Sequence, residues 1–304
     1  MKVGMSGLAL IGVGIMVVTI VHATNGPTID YMGQGPPGLE PRIFAKGIIS
    51  TPARELNSVF SPDGDIFLFT RRDHSQTYRI METRYGPDGW STPSVTSFTE
   101  GEGGVDPAFS WEGNLVYFGS GRTGTLGDAD IWAVELSPDG RWGKPRNLGR
   151  PVNTPGNENH ASPASDGTLY FHSAGHPGLG ESDIFRAAVS GDGYSTPVNL
   201  GPSVNSGASD FDPFAAPDQS YVVFSSTREG GFGGGDLHVS FRTEDGGWTH
   251  AVNLGKVFNS SATEFCPKVT PDGKYLFYTS RSTGEGDIYW VDARIIDQYR
   301  PGTQ

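Results

Sequence analysis

The sequence predicts an all-β protein, a five-bladed β-propeller of four-stranded antiparallel blades, closed by an N-terminal strand that completes the last blade. Three observations carry this. One pattern recurs in five copies at a spacing of roughly fifty residues. Each complete copy holds turn signals separating four short β-rich runs. The fifth copy lacks its fourth run, and an unused run of that kind stands ahead of the first copy.

Lys2, the apolar stretch from about Leu8 to Val21, and Val21-His22-Ala23 have the form of a secretory signal covering residues 1–23. The stretch is short for a spanning helix and has no basic flank after it, so cleavage is expected, not anchoring. No second segment is apolar enough to span a bilayer as a helix. Residues 24–40 then read as an N-terminal extension, 41–297 as a single propeller domain, and 298–304 as a tail. The expected location is periplasmic or secreted.

The copies begin with a tight turn before an alternating strand: Ser61-Pro62-Asp63-Gly64 before Asp65 to Phe69, Trp111-Glu112-Gly113 before Asn114 to Phe118, and Ser165-Asp166-Gly167 before Thr168 to Phe171. Pro217-Asp218-Gln219 and Pro271-Asp272-Gly273 continue the series. Such turns join hairpin strands. A Gly-rich loop follows, and an Asp opens the third strand at Asp130, Asp183, Asp236 and Asp287, the last running to about Ile296. That Asp is expected to cap its loop by accepting backbone N–H groups. An aromatic comes next (Trp90, Trp142, Tyr194, Trp248), expected to pack between blades. The fourth strand reads Asn147-Leu148-Gly149, Asn199-Leu200-Gly201 and Asn253-Leu254-Gly255. Arg42-Ile43-Phe44-Ala45 resembles this strand, and is expected to pair beside the third strand of copy five, removing an exposed edge.

The Pro-Asp turns, the Asp-Ile step and the Asn-Leu-Gly strand resemble the WD40-like, Pro-Asp-signature propeller repeats of TolB-like proteins, over about Arg42 to Ile296. The resemblance implies a propeller of the cell envelope and leaves its activity open, because the fold hosts many functions. The envelope-anchoring role that a further domain gives some relatives is not expected to carry over to this chain.

The net charge of −12 disfavours nucleic acid and anionic membranes as partners. Cys266 is the single cysteine, so no internal disulfide forms, and a closed ring is expected to be a monomer. The loops leading into the first strands carry Glu55, Glu158, Asp210 and Glu264, with Asn57, Asp106, His160 and Asp212 in the position two residues beyond the lead-in site of their copies. A spacing of two places such residues on one side of a strand. Arg72, Arg122, Arg228 and Arg281 lie in loops on the same face. Together these acids and arginines form a candidate binding mouth, although their recurrence in most copies also fits a structural role in every blade. Cys266 takes the Asp106-type position and reads as a small buried residue.

Copy three departs from the pattern with His160, His172 and His176 beside Glu158. His160, His172 and Glu158 form a candidate site for a divalent metal, and oligogalacturonate lyases, which resemble this repeat class, use a histidine-rich metal site. No nucleophile elbow, zinc-protease helix or phosphate loop is present, and no catalytic residue is assigned. The leading expectation is an exported, non-catalytic binding or scaffold propeller presenting an acidic channel mouth to a protein or glycan partner. The alternative is a metal-assisted polysaccharide lyase, or a glycoside hydrolase using two of the acids.

Overall fold

A computed structural model describes residues 28–302 apart from Asp73. The expected secretory signal, residues 1–23, lies outside the described residues. Five antiparallel blades of four strands, the first with a short extra hairpin strand at Gly89–Trp90, form a closed five-bladed propeller. The first blade starts at Glu55–Phe60, the second at Val105–Phe109, the third at Glu158–Pro163, the fourth at Asp210–Ala215 and the fifth at Glu264–Val269. These are the innermost strands. Arg42–Ile43 is the outer strand of blade five, pairing Arg42 with Trp290 and Ile43 with Tyr289. The ring is therefore closed by the displaced strand, as its sequence predicted.

Alternation along the second strand of each blade builds the interfaces. Ile66 and Leu68 face blade two, where they meet Val116, Phe118 and Trp132, whereas Phe67 and Phe69 face blade five with Phe277 and Trp290. Successive strand residues point to opposite faces, so each blade supplies two apolar surfaces from one strand. Each of the five junctions has its own buried cluster. A backbone bond repeats at every junction: Glu55 N to Gly286 O, Gly104 N to Tyr78 O, Glu158 N to Ala129 O, Asp210 N to Ser182 O, and Glu264 N to Gly235 O. The aromatics pack across these junctions. Tyr194 and Tyr117 share a hydroxyl hydrogen bond of 2.8 Å, and Trp142 Nε1 donates to Glu82 of blade one.

The loop-capping Asp behaves as its position predicted. Asp183 accepts from Leu179 N and Gly180 N, and Asp236 from Phe232 N and Gly233 N. The Asn of the fourth strand donates to the same carboxylate, from Asn147 to Asp130, Asn199 to Asp183 and Asn253 to Asp236. A second Asn, six residues on, completes a staple: Asn153, Asn205 and Asn259 each bond both the backbone N and O of the residue after the capping Asp. Ser50 fills this place after the closing strand, bonding Ile288 N and O. Asp236→Ala removes a buried carboxylate that accepts three hydrogen bonds and anchors an exposed loop, so a loss of about 2–4 kcal/mol is expected in urea unfolding. A loss below about 1 kcal/mol would show that the loop is held by something else.

The chain departs from expectation after blade five. The third strand ends at Asp292, not near Ile296, and Ala293–Tyr299 forms a 3-10 helix. Asp292 caps it by accepting from Arg294 N, and Ile295 and Ile296 bury against the blade-four and blade-five cluster. Arg300 lies over the Phe241 ring at 4.7 Å, so packing continues past residue 297 into the expected tail.

Candidate functional site

Each innermost strand contains one bulge. Pairing jumps from Leu56 to Ser58, from Val105 to Ala108, from Asn159 to Ser162, from Phe211 to Phe214 and from Phe265 to Lys268. Within these gaps Asn57, Asp106, His160, Asp212 and Cys266 hold φ values of 44°, 55°, 52°, 51° and 53°. This left-handed region costs an L-residue roughly 1–2 kcal/mol, with Asn, Asp and His tolerating it best. The bulge breaks the two-residue alternation, and with it the expected pairing of Glu55 with Asn57 or Glu158 with His160. The lead-in acids turn into their own loops, and the bulge residues turn to the channel axis.

There the five side chains converge. His160 Nδ1 lies 3.4 Å from Asp212 Oδ1, 3.8 Å from Asp106 Oδ1 and 3.4 Å from Asn57 Nδ2. Cys266 Sγ lies 3.2 Å from Asp212 Oδ2 and 3.7 Å from Asp106 Oδ1. Ligand atoms of Asp106, His160 and Cys266 all fall within 4.8 Å of one another, and among the described residues this trio is the group of that kind. His172 joins from the second strand of blade three, 3.5 Å from Asp212 Oδ1, with its Nδ1 accepting from Asp212 N at 3.1 Å. Lys268 enters from blade five and donates from Nζ to Ala161 O at 3.1 Å. Beyond it, Phe60, Phe109 and Phe214 line a cavity of only about 50 Å³.

Burial governs the charges. It pushes Asp212 up to about 6, with the Asp106 charge adding to the effect. Burial also opposes ionisation of Asp106, but the His160 ring and the Lys268 charge outweigh it and hold that carboxyl below its ordinary value. Burial and then Lys268 push His160 down to about 4, and burial lowers His172 as well. Lys268 falls to about 8, again through burial, while Asp106 and Asp212 pull it upward. Burial and the two carboxylates raise the Cys266 thiol. At neutral pH the axis thus holds two carboxylates beside one ammonium, with neutral imidazoles.

The other candidate residues are placed elsewhere. Glu158 accepts from Thr154 N, Thr154 Oγ1 and Ser173 Oγ, so the set of Glu158, His160 and His172 does not assemble as one metal centre. Its place beside His160 is taken by Asp106, Asp212 and Cys266, because the bulge separates Glu158 from His160. His176 bonds Val152 O through Nε2 at 2.8 Å and packs near Phe185. Glu55, Asp210 and Glu264 are likewise fully buried, capping Thr51, Ser206 and Ser260. An exposed acidic mouth is therefore not formed by these residues. Arg228 bonds Asp210 at 2.6 Å, but Glu55 is paired by Arg71, not Arg72. Arg122 is buried between the rings of Phe118 and Trp132, donating to Phe98 O and Gly103 O, and Arg281 lies over Phe265.

Arg72 instead stands in a groove of about 810 Å³ at the lead-in face of blade one. Arg54, Arg71, Arg79 and His74 line it with Arg72. Glu285 pairs Arg54, and Arg79 donates to Thr99 O.

No protein-family model matches the chain, and no curated protein matches it. Solved structures do resemble it. TolB from Acinetobacter baumannii aligns with TM-score 0.54 and 15% identity over 81% of this chain and 56% of that one. The α-L-arabinofuranosidase PaAbf62A from Podospora anserina, solved with cellotriose, aligns with TM-score 0.53 and 10% identity over 84% and 97%. A TolB candidate from Agrobacterium tumefaciens gives TM-score 0.50 and 17% identity over 80% and 78%. The chain spans just over half of the Acinetobacter protein. At such identities the likeness is one of fold, and it places this chain among β-propellers of the shape found in TolB.

Proposed function

We propose that this protein is an exported, non-catalytic binding propeller of the cell envelope or exterior, holding a carboxylate-bearing protein or glycan partner in the groove of blade one. The observation that carries the reading is Arg72 standing in one groove beside Arg54, Arg71 and Arg79, of which Arg54 holds Glu285, Arg71 holds Glu55 and Arg79 holds Thr99 O, in a chain whose net charge is −12. Guanidinium forks match carboxylates in a bidentate geometry, and the groove's volume suits a ligand of a few residues or sugars. The repeated Pro-Asp turns support grouping the chain with WD40-like repeats, and its resemblance to TolB supports an envelope location. The glycoside-hydrolase reading is less well supported. Asp106 and Asp212 are the carboxylates nearest the axis, and their side chains are only 10% and 8% exposed. A sugar ring has no room between them and the plugged channel below.

Titration with an oligogalacturonate and with an acidic peptide tests the proposal. At least one should bind, more weakly as salt rises, and Arg72→Glu should weaken it roughly tenfold or more. Absence of binding by both at low salt, or binding indifferent to Arg72→Glu, would remove the groove from consideration.

A further inference from the structure

We propose that the propeller axis is a site for one late first-row divalent ion of the zinc class, held by Asp106, His160 and Cys266 with the Asp212 carboxylate beside them. Three blades would each contribute one ligand, so the ion would staple the ring from within.

The spacing of the donors is the first ground. Zinc bonds of about 2.0–2.1 Å to N or O and about 2.3 Å to S place tetrahedral N and O ligands about 3.3 Å apart, and S and O ligands about 3.5 Å apart. Asp106 Oδ1 lies 3.8 Å from His160 Nδ1 and 3.7 Å from Cys266 Sγ, while Asp212 faces His160 through Oδ1 at 3.4 Å and Cys266 through Oδ2 at 3.2 Å. Both His160 contacts are longer than ordinary hydrogen bonds, which centre near 2.9 Å, and lie nearer the edge length of a coordination tetrahedron.

An unsatisfied polar atom is the second ground. Asn57 is buried at 1% exposure, yet its Oδ1 has no hydrogen-bond partner. The Asn57 amide already faces His160 through Nδ2, and a half-turn of that amide would present its oxygen to the axis.

Residue choice is the third. Asn, Asp and His suit the left-handed backbone on their own merits, but Cys266 does not, so its presence at that position asks for a reason in its sulfur. A thiolate and an imidazole with carboxylates select zinc-like ions, whereas calcium takes six to eight oxygens. Binding would release the Cys266 proton to solvent. The thiolate, Asp106, Asp212, Lys268 and a divalent ion then sum to zero charge in a buried place, as burial demands.

The test uses the purified protein, stripped with chelator and titrated with Zn²⁺, Co²⁺ and Ca²⁺. One equivalent of Zn²⁺ should bind. At free Zn²⁺ a hundredfold above its Kd the Tm should rise on the order of 5–10 °C. The Co²⁺ form should show a thiolate-to-metal charge-transfer band that Cys266→Ser abolishes. The wild-type spectrum stands on its own should the variant fold poorly. No retained ion and no shift, a Ca²⁺ effect equal to that of Zn²⁺, or a Co²⁺ spectrum without the thiolate band would each overturn the assignment.

Discussion

Deleting the chain through Gly47 is expected to abolish the stable monomer, and a synthetic peptide covering residues 28–50 is expected to restore it. The outer strand of blade five is only Arg42–Ile43 by pairing, but its consequences extend further. Phe44 follows it, fully buried, with ring centroids 4.8 Å from Phe277, 5.3 Å from Trp290 and 5.5 Å from Phe67. It thus joins blade five to blade one. Tyr31 reaches Asp272 from the extension, and Trp90 Nε1 bonds Asp30. Without the segment, the Asp287–Asp292 strand becomes a free edge that recruits other chains. Phe44→Ala alone should cost about 3–5 kcal/mol, a large share of the stability of a domain this size. Size-exclusion and thermal melting of the truncated chain, with and without peptide, decide the matter. A truncated monomer melting within a few degrees of the parent would show that closure does not depend on the strand.

The same strand shows how much of the fold could be read beforehand. Its kinship to Asn147-Leu148-Gly149 is a local pattern, and turns such as Pro62-Asp63-Gly64 announce hairpins through backbone preferences that act within a few residues. The second Asn of each staple also recurs, at 153, 205 and 259, and could have been found by its spacing of six from 147, 199 and 253. The end of blade five was less legible, because Asp292 followed by Ile295 and Ile296 suits a helix cap as well as a continuing strand. The site was hidden for a different reason. Positions 57, 106, 160, 212 and 266 recur visibly, but strict alternation pairs them with their lead-in acids. Only the bulge, a feature of backbone pairing, turns them toward one axis. Lys268 has no counterpart in the other copies, and nothing local marks it as the cation beside two buried carboxylates.

That cation gives the second large effect. In metal-free buffer Lys268→Met should destabilise the protein by about 3–5 kcal/mol at pH 7.5, because Asp106 and Asp212 then lose the positive charge buried with them. Methionine matches the length of the lysine stem, so packing beside Phe109 and Phe214 changes little, and the charge is what is removed. The sign of the pH dependence separates the two causes. Asp212 already sits near 6 in the folded chain, above its ordinary 3.8, and loss of the ammonium would lift it further while weakening the pull that holds Asp106 low. A folded-state carboxyl above its unfolded value binds more protons than the unfolded chain does, so the variant gains stability as pH falls through that window. The deficit relative to the parent should therefore be largest near pH 7, below the Lys268 value of about 8, and shrink toward pH 5, as protonation takes over the role of the lost cation. Urea unfolding of both proteins at the two pH values measures it. A deficit independent of pH would mean that Lys268 acts by filling space and by its bond to Ala161 O, with no part in balancing the axial charge.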